Sequence, residues 1–153
     1  MSRVLFVCTD NAVRSLIAEA CLRSIAGGSF AAYSAGIDPA GVHPLTRVAL
    51  TEAGISTREL HSEQLEQYLG QPWDYVISLC DQAAPHPVLT LVAGDARRLH
   101  WEVPDPVSVP GFTARLRAFR ASRDAIRRRV EGFVASVGPV RALDCVVVGA
   151  PRR

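Results

Sequence analysis

The first 25 residues constrain the fold more than any other part of the chain. Val4-Leu5-Phe6-Val7 is a continuous apolar run that ends in Cys8. Cys8-Thr9-Asp10-Asn11-Ala12-Val13-Arg14-Ser15 then breaks the pattern, before Leu16, Ile17, Ala20, Cys21 and Ile25 form a stripe at helical spacing. A short run without polar alternation suits a strand buried on both faces, as in parallel sheets covered by helices. Gly27-Gly28 stops the helix. A buried strand, a short polar loop and a helix in that order are the opening unit of an α/β fold.

The rest of the chain repeats the alternation. The residues predict strands over Phe30–Ser34, Asp74–Leu79 and Arg97–Val103, and helices over His43–Ala53, Ser62–Leu69 and Phe112–Val137. The last helix carries Leu116, Phe119, Ile126, Val130, Phe133 and Val137 on one face. Strands alternating with helices imply a parallel sheet with helices on both faces, with ligands bound outside the C-terminal strand ends. Cys8 and Cys80 each end an apolar strand, so both fall on that edge. Residues 1–137 are expected to form one domain. The tail, 138–153, is expected to add an edge strand at Cys145-Val146-Val147-Val148 or to remain loose.

Composition removes several function classes. The chain has 153 residues, 48% hydrophobic and 21% charged, which fits one packed domain and excludes wholesale disorder. No apolar run approaches the roughly 18 residues that span a bilayer, and the N-terminal run is too short for a signal peptide. The expectation is a cytoplasmic protein without membrane partners. Its 17 basic residues, all Arg, nearly balance 15 acidic ones, which argues against nucleic acid. The arginines of the last helix (Arg115, Arg117, Arg120, Arg123, Arg127, Arg128 and Arg129) are interleaved with Asp124 and Glu131 and read as a solvated face. Four widely spaced cysteines include no C-x-x-C pair, so neither a zinc site nor a disulfide framework is expected, and no bound cofactor. His43, His61, His86 and His100 show no nucleophile-activating spacing and read as surface or structural residues.

The loop after the first strand carries the chemistry. A segment of this length can curl so that successive amides of Thr9, Asp10, Asn11, Ala12 and Val13 point inward around a tetrahedral oxyanion. The first turn of the helix adds unpaired amides and the positive end of its dipole. Arg14 can hold two anion oxygens with its planar fork. Cys8 at the floor of such a cup is expected to ionise, its pKa falling from about 8.5 into the range of roughly 3.5–7.5. Ser15 can donate to the sulfur and Asn11 can pin the loop. Asp10 stands out, because a carboxylate beside an anion cup weakens binding unless it points into solvent. The competing reading of Cys8 is a small hydrophobe that closes a strand.

The stretch Val4 to Ser15, with Ala18-Glu19-Ala20 after it, resembles the low-molecular-weight protein tyrosine phosphatase superfamily. Ser34-Ala35-Gly36, Val42-His43-Pro44, Leu79-Cys80-Asp81 and His100-Trp101-Glu102-Val103-Pro104-Asp105-Pro106 resemble its arsenate reductases of the thioredoxin- or mycothiol-coupled kind. The likeness runs from about Arg3 to Val137. It implies a four-stranded parallel sheet in the order 2-1-3-4 flanked by helices. It also implies Cys8 as nucleophile, Arg14 and the loop amides as oxyanion holders, and Asp105 as general acid. Cys80 is implied as the thiol that resolves the Cys8–arsenic adduct by forming a disulfide and releasing arsenite. An external thiol such as thioredoxin or mycothiol then restores the enzyme.

That branch usually carries a third cysteine shortly after the second, before a proline. Here the segment is Cys80-Asp81-Gln82-Ala83-Ala84-Pro85-His86-Pro87, and His86 stands at that place. Cys21 lies on the buried stripe and Cys145 in the tail. That departure at His86 counts against reduction, but a plain phosphatase has no use for Cys80, so arsenate reduction is the leading expectation. A phosphotyrosine or phosphomonoester phosphatase working through a Cys8 phosphocysteine is the alternative, and an oxyanion-binding regulatory module with weak turnover a third.

Overall fold

The computed structural model describes residues 1–149, with side chains through Val137. The elements run β1 (Ser2–Cys8), α1 (Arg14–Ala26), β2 (Phe30–Gly36), α2 (Pro44–Glu52), β3 (Tyr75–Ser78), α3 (Pro87–Ala93), β4 (Arg97–His100) and α4 (Phe112–Gly149). Short 3₁₀ turns cover Leu65–Tyr68 and Pro106–Ser108. The four strands form one parallel sheet in the order β2-β1-β3-β4. β1 is central because its residues are apolar on both faces, and Val4 to Cys8 are fully buried.

The pleat of β1 divides the core. Val4 and Phe6 pack with Leu16, Ile17 and Cys21 of α1 and with Phe119, Ile126, Val130 and Phe133 of α4. Leu5 and Val7 pack with Leu65, Trp73, Val76, Leu89 and Val92 on the opposite side, and Cys8 and Cys80 both join this second cluster. Alternation along one strand thus becomes two helical layers.

Four elements differ from the sequence expectation. The helix expected over Ser62–Leu69 is a 3₁₀ turn of Leu65–Tyr68. Helix α3 was not anticipated. His86 caps it by accepting the Val88 amide at Nδ1 (3.2 Å), and Pro87 follows at the first helical position, where a missing N–H costs nothing. β4 ends at His100 rather than Val103, because the chain turns away to build a wall over the sheet edge. The segment 138–149, expected as an edge strand or loose, continues α4 as helix to Gly149. The β-branched Val146 to Val148 had suggested the strand, a preference that depends on a sheet edge to pair with. Side chains there, including Cys145, lie outside the described residues. Among the described residues no helix is long and apolar enough to cross a membrane.

Candidate active site

Hydrogen bonding explains why residues 8–15 curl. The carbonyls turn outward to the segment after β2. Cys8 O accepts from the Ile37 amide (3.3 Å), Thr9 O from Asp38 (2.8 Å), Asp10 O from Ala40 (2.9 Å) and Ala12 O from His43 (3.1 Å). With the carbonyls committed outward, the amides face the concave side. Those of Asn11 and Ser15 are directed at the Cys8 sulfur, while those of Asp10, Val13 and Arg14 have no acceptor among the described residues. The loop is a nest of donors that begins at a strand end and finishes at a helix N-terminus.

Two residues hold this shape. Asn11 has φ +46°, a left-handed conformation that Asn tolerates better than most residues. Its Oδ1 accepts the Glu63 amide (2.7 Å) and its Nδ2 donates to Ser15 Oγ (2.7 Å). Gly36, the register partner of Cys8, lets the loop lie against β2: a Cβ there would stand 2.8 Å from Asn11 Cβ and 2.9 Å from Thr9 O. Because Ser15 Oγ accepts from Asn11, its own hydrogen is free to donate to Cys8 Sγ at 2.9 Å.

The Cys8 thiol departs from the expected low pKa. Burial pushes it up to about 11; the Ser15 and Asn11 hydrogen bonds pull it down, and the Asp10 charge pushes it further up. Asp10 also departs from expectation, since its carboxylate turns inward. Oδ1 lies 3.7 Å from Cys8 Sγ, as acceptor of the thiol proton, and accepts the Ala12 amide at 3.3 Å. The Asp10 carboxylate thus takes one donor of the nest, the Ala12 amide, and its charge adds to the burial that raises the Cys8 thiol.

Arg14 does not face the cup in the expected grip. Its Nη1 donates to Val103 O (2.8 Å) and Leu79 O (3.4 Å), which ties the wall after β4 to the end of β3. The guanidinium lines a cavity of about 640 Å³ together with Cys80, Asp81, Glu102, Asp105 and Arg129. The structure therefore brings Asp105 and Cys80 to one cavity with Arg14. Asp105 also has a turn role, because its Oδ1 caps the 3₁₀ turn by accepting the Val107 amide at 3.0 Å.

Cys80 follows β3. Register pairs Val7 with Ser78, so Cys80 lies just beyond the position opposite Cys8, and its Sγ contacts Thr9 Oγ1 at 3.3 Å. Both thiols are free and buried. Cys80 lines the cavity, whereas Cys8 has no exposed surface and sits beneath the loop. Cys21 lies in the core as expected, its thiol pushed up to about 12 by burial.

Sequence reasoning missed Arg129 as a cavity residue, because an arginine within an Arg-rich helix face carries no signal of its own. Two of the four histidines cap helices. His43 caps α2 by accepting the Leu45 amide (3.0 Å), and His86 caps α3.

The chain is similar to known proteins over most of its length. An arsenate reductase of Halalkalibacterium halodurans is 36% identical over 131 residues, covering 85% of this chain and 93% of that protein. A glutaredoxin arsenate reductase of Synechocystis is 30% identical over 140 residues, covering 90% and 99%. A solved arsenate reductase in a phosphate-binding state superposes with a TM-score of 0.75 at 29% identity, covering 90% of this chain and 99% of that one. The model of the low molecular weight phosphotyrosine protein phosphatases matches residues 3–142. A sheet in the order 2-1-3-4, a donor nest around Cys8 and a match over most of the length leave one assignment: the chain belongs to the low-molecular-weight phosphotyrosine protein phosphatase family.

Proposed function

We propose that this chain reduces arsenate to arsenite, with Cys8 as nucleophile and Cys80 as resolving thiol. The observation that carries the reading is the pair of free thiols at one sheet edge, Cys8 on the floor of the nest and Cys80 at its rim beside Thr9. A phosphatase needs only the first. The arsenate reductases among its relatives support the same choice.

The chemistry balances on these groups. An arsenate oxyanion displaces the Asp10 carboxylate and takes the amides of residues 9–15; for Arg14 to hold it as well, the guanidinium must leave the Val103 and Leu79 carbonyls and turn toward the cup. Cys8 passes its proton to an arsenate oxygen and attacks arsenic; an As–O bond breaks and the hydroxyl leaves as water with a proton from Asp105. Cys80 then loses its proton and attacks Cys8 Sγ. The S–As bond breaks with its electron pair going to arsenic, which falls from the +5 to the +3 state as two thiols become a disulfide. Arsenite departs.

Two electrons must then be returned from outside. His86 stands where an internal third thiol would be and caps α3 instead. The external thiol reaches Cys80, the sulfur that lines the cavity, and Cys8 is the leaving group. A thioredoxin, a glutaredoxin or a small thiol such as mycothiol fits this role, in a reducing cytoplasm.

The test is intact-protein and peptide mass spectrometry after a single arsenate turnover without reductant. The expected product is a Cys8–Cys80 disulfide with one equivalent of arsenite, and Cys80→Ser abolishes both. Arsenate turnover undiminished in Cys80→Ser overturns the resolving role. Hydrolysis of p-nitrophenyl phosphate with no arsenite formed moves the chain to phosphatase chemistry.

A further inference from the structure

We propose that His100 is a positioning residue for the Cys80 thiol, an inference that rests on the resolving role argued above. The imidazole is hydrogen-bonded on both sides of Leu79-Cys80. Nδ1 meets Ser78 Oγ at 2.7 Å, and Nε2 meets Asp81 Oδ1 at 3.1 Å. One ring thus clasps both ends of the tetrapeptide that carries the second sulfur.

The chemistry of the partners fixes the direction of each bond. A carboxylate only accepts, so Nε2 carries the hydrogen that Asp81 receives. In the neutral ring Nδ1 then accepts from the Ser78 hydroxyl. In the protonated ring Nδ1–H donates to Ser78 Oγ, and the hydroxyl turns to Leu99 O at 3.5 Å. The clasp persists in either state.

Its anchor is firm at one end and loose at the other. Ser78 is buried and is the register partner of His100 across the β3–β4 ladder, whose hydrogen bonding continues with Trp101 N to Ser78 O at 2.8 Å. Asp81 has 73% of its side chain exposed. The ladder to β1 ends at Leu79, whose amide donates to Val7 O at 2.9 Å, so Cys80 is the first residue beyond it. From there the chain is guided by the clasp, by Cys80 O accepting from Ala84 N at 3.4 Å, by Arg14 Nη1 donating to Leu79 O at 3.4 Å and by Thr9 Oγ1 meeting Cys80 Sγ at 3.3 Å.

Position matters because of what the second step requires. Cys80 Sγ must approach Cys8 Sγ in line with the breaking S–As bond, and the new disulfide needs Cβ atoms roughly 3.5–4.5 Å apart. A segment held over the nest presents its thiol at high effective concentration; a segment free to swing does not, and misplacement of about 1 Å costs up to roughly a hundredfold. The contact with Asp81 is largely solvent-exposed and contributes little to global stability, so removing the imidazole leaves the fold intact while loosening Cys80.

The experiment separates the two halves of the reaction in the full reduced chain. Rapid-quench mass spectrometry follows the Cys8–Cys80 disulfide after arsenate is added, while Cys8 alkylation and phosphate calorimetry report the first site alone. His100→Ala is expected to slow disulfide formation about tenfold with Cys8 alkylation and phosphate affinity unchanged. His100→Gln, which keeps a donor for Asp81, restores part of the rate. Asp81→Ala cuts the exposed arm and slows the same step, which covers a His100→Ala chain that fails to fold. Disulfide formation at the wild-type rate in His100→Ala and Asp81→Ala overturns the proposal. So does an equal loss in alkylation and phosphate affinity, which marks a general structural role. A wild-type chain that forms no disulfide overturns the resolving reading itself, and this inference with it.

Discussion

Asp10 Oδ1 stands 3.7 Å from Cys8 Sγ and accepts the Ala12 amide, so one carboxylate oxygen takes both the thiol proton and a donor of the nest. An incoming oxyanion competes for the same groups, and its charge is opposed by a carboxylate that must turn away. Asp10→Asn removes that charge while keeping an oxygen for the Ala12 amide. Phosphate and arsenate are expected to bind roughly three- to tenfold more tightly, by calorimetry. The pH profile of Cys8 alkylation shifts downward in the same variant, because the Asp10 charge is one of the causes that raise this thiol. Weaker anion binding in Asp10→Asn would mean that the carboxylate helps to shape the cup.

The Cys8 thiol also makes stability depend on alkaline pH. Its folded value is pushed up to about 11 from an ordinary 9.0, so the native chain holds a proton that the unfolded chain releases. A group raised in this way contributes stability that is complete below the unfolded value and is lost as pH rises through the folded one. Thermal unfolding followed from pH 8 to 11 should show a decline beginning near pH 9, on the order of 2 kcal/mol from Cys8. Cys8→Ser flattens part of that slope. Cys21 and Tyr68, each raised to about 12 chiefly by burial, keep the remainder.

Much of this site is legible in the sequence, for physical reasons that differ between residues. Cys8 and Arg14 sit in a strand–loop–helix unit whose apolar run and stripe set the local geometry before any packing is known. The strand order follows from the resemblance and holds. The direction of the Cys8 shift was not legible, because it depends on how fully the sulfur is buried and on where Asp10 points. Both are properties of packing rather than of spacing. Arg129 reaches the cavity because α4 packs beside the turn at Pro106–Ser108 that follows Asp105, a tertiary fact. α3 was missed although His86-Pro87 repeats the His43-Pro44 cap at the start of α2, a local signal present in the sequence and unread.

Gly36 marks the closest approach between the loop and β2. An added Cβ meets Asn11 Cβ at 2.8 Å, Asn11 N at 2.9 Å and Thr9 O at 2.9 Å, two of which are backbone atoms that cannot swing aside. Gly36→Ala therefore displaces the loop. The expected cost is about 1–3 kcal/mol of stability, read as a lower Tm. Phosphate affinity falls with it, because the displaced segment is the one that aims the amides. A Gly36→Ala chain with wild-type Tm and phosphate affinity would show that the loop can relax without losing its curl.

Asp105 joins two roles that one substitution can separate. Its Oδ1 accepts the Val107 amide at 3.0 Å and caps the turn over Pro106–Ser108, and its side chain lines the cavity beside Arg14 and Cys80. Asn keeps a side-chain oxygen for the cap but carries no ionisable proton. Ala removes both. If Asp105 protonates the departing oxygen, Asp105→Asn slows the first chemical step by roughly 10²–10⁴-fold while Tm stays at the wild-type value. Asp105→Ala slows that step as much and also lowers Tm, by an amount matching about 1 kcal/mol for a lost cap. Oxyanion affinity is expected to be no weaker in Asp105→Asn, since a carboxylate has been neutralised near the bound anion. An Asn variant that reduces arsenate at the wild-type rate, with only the Ala variant impaired, would assign Asp105 to the turn alone and leave the departing oxygen to be protonated by water.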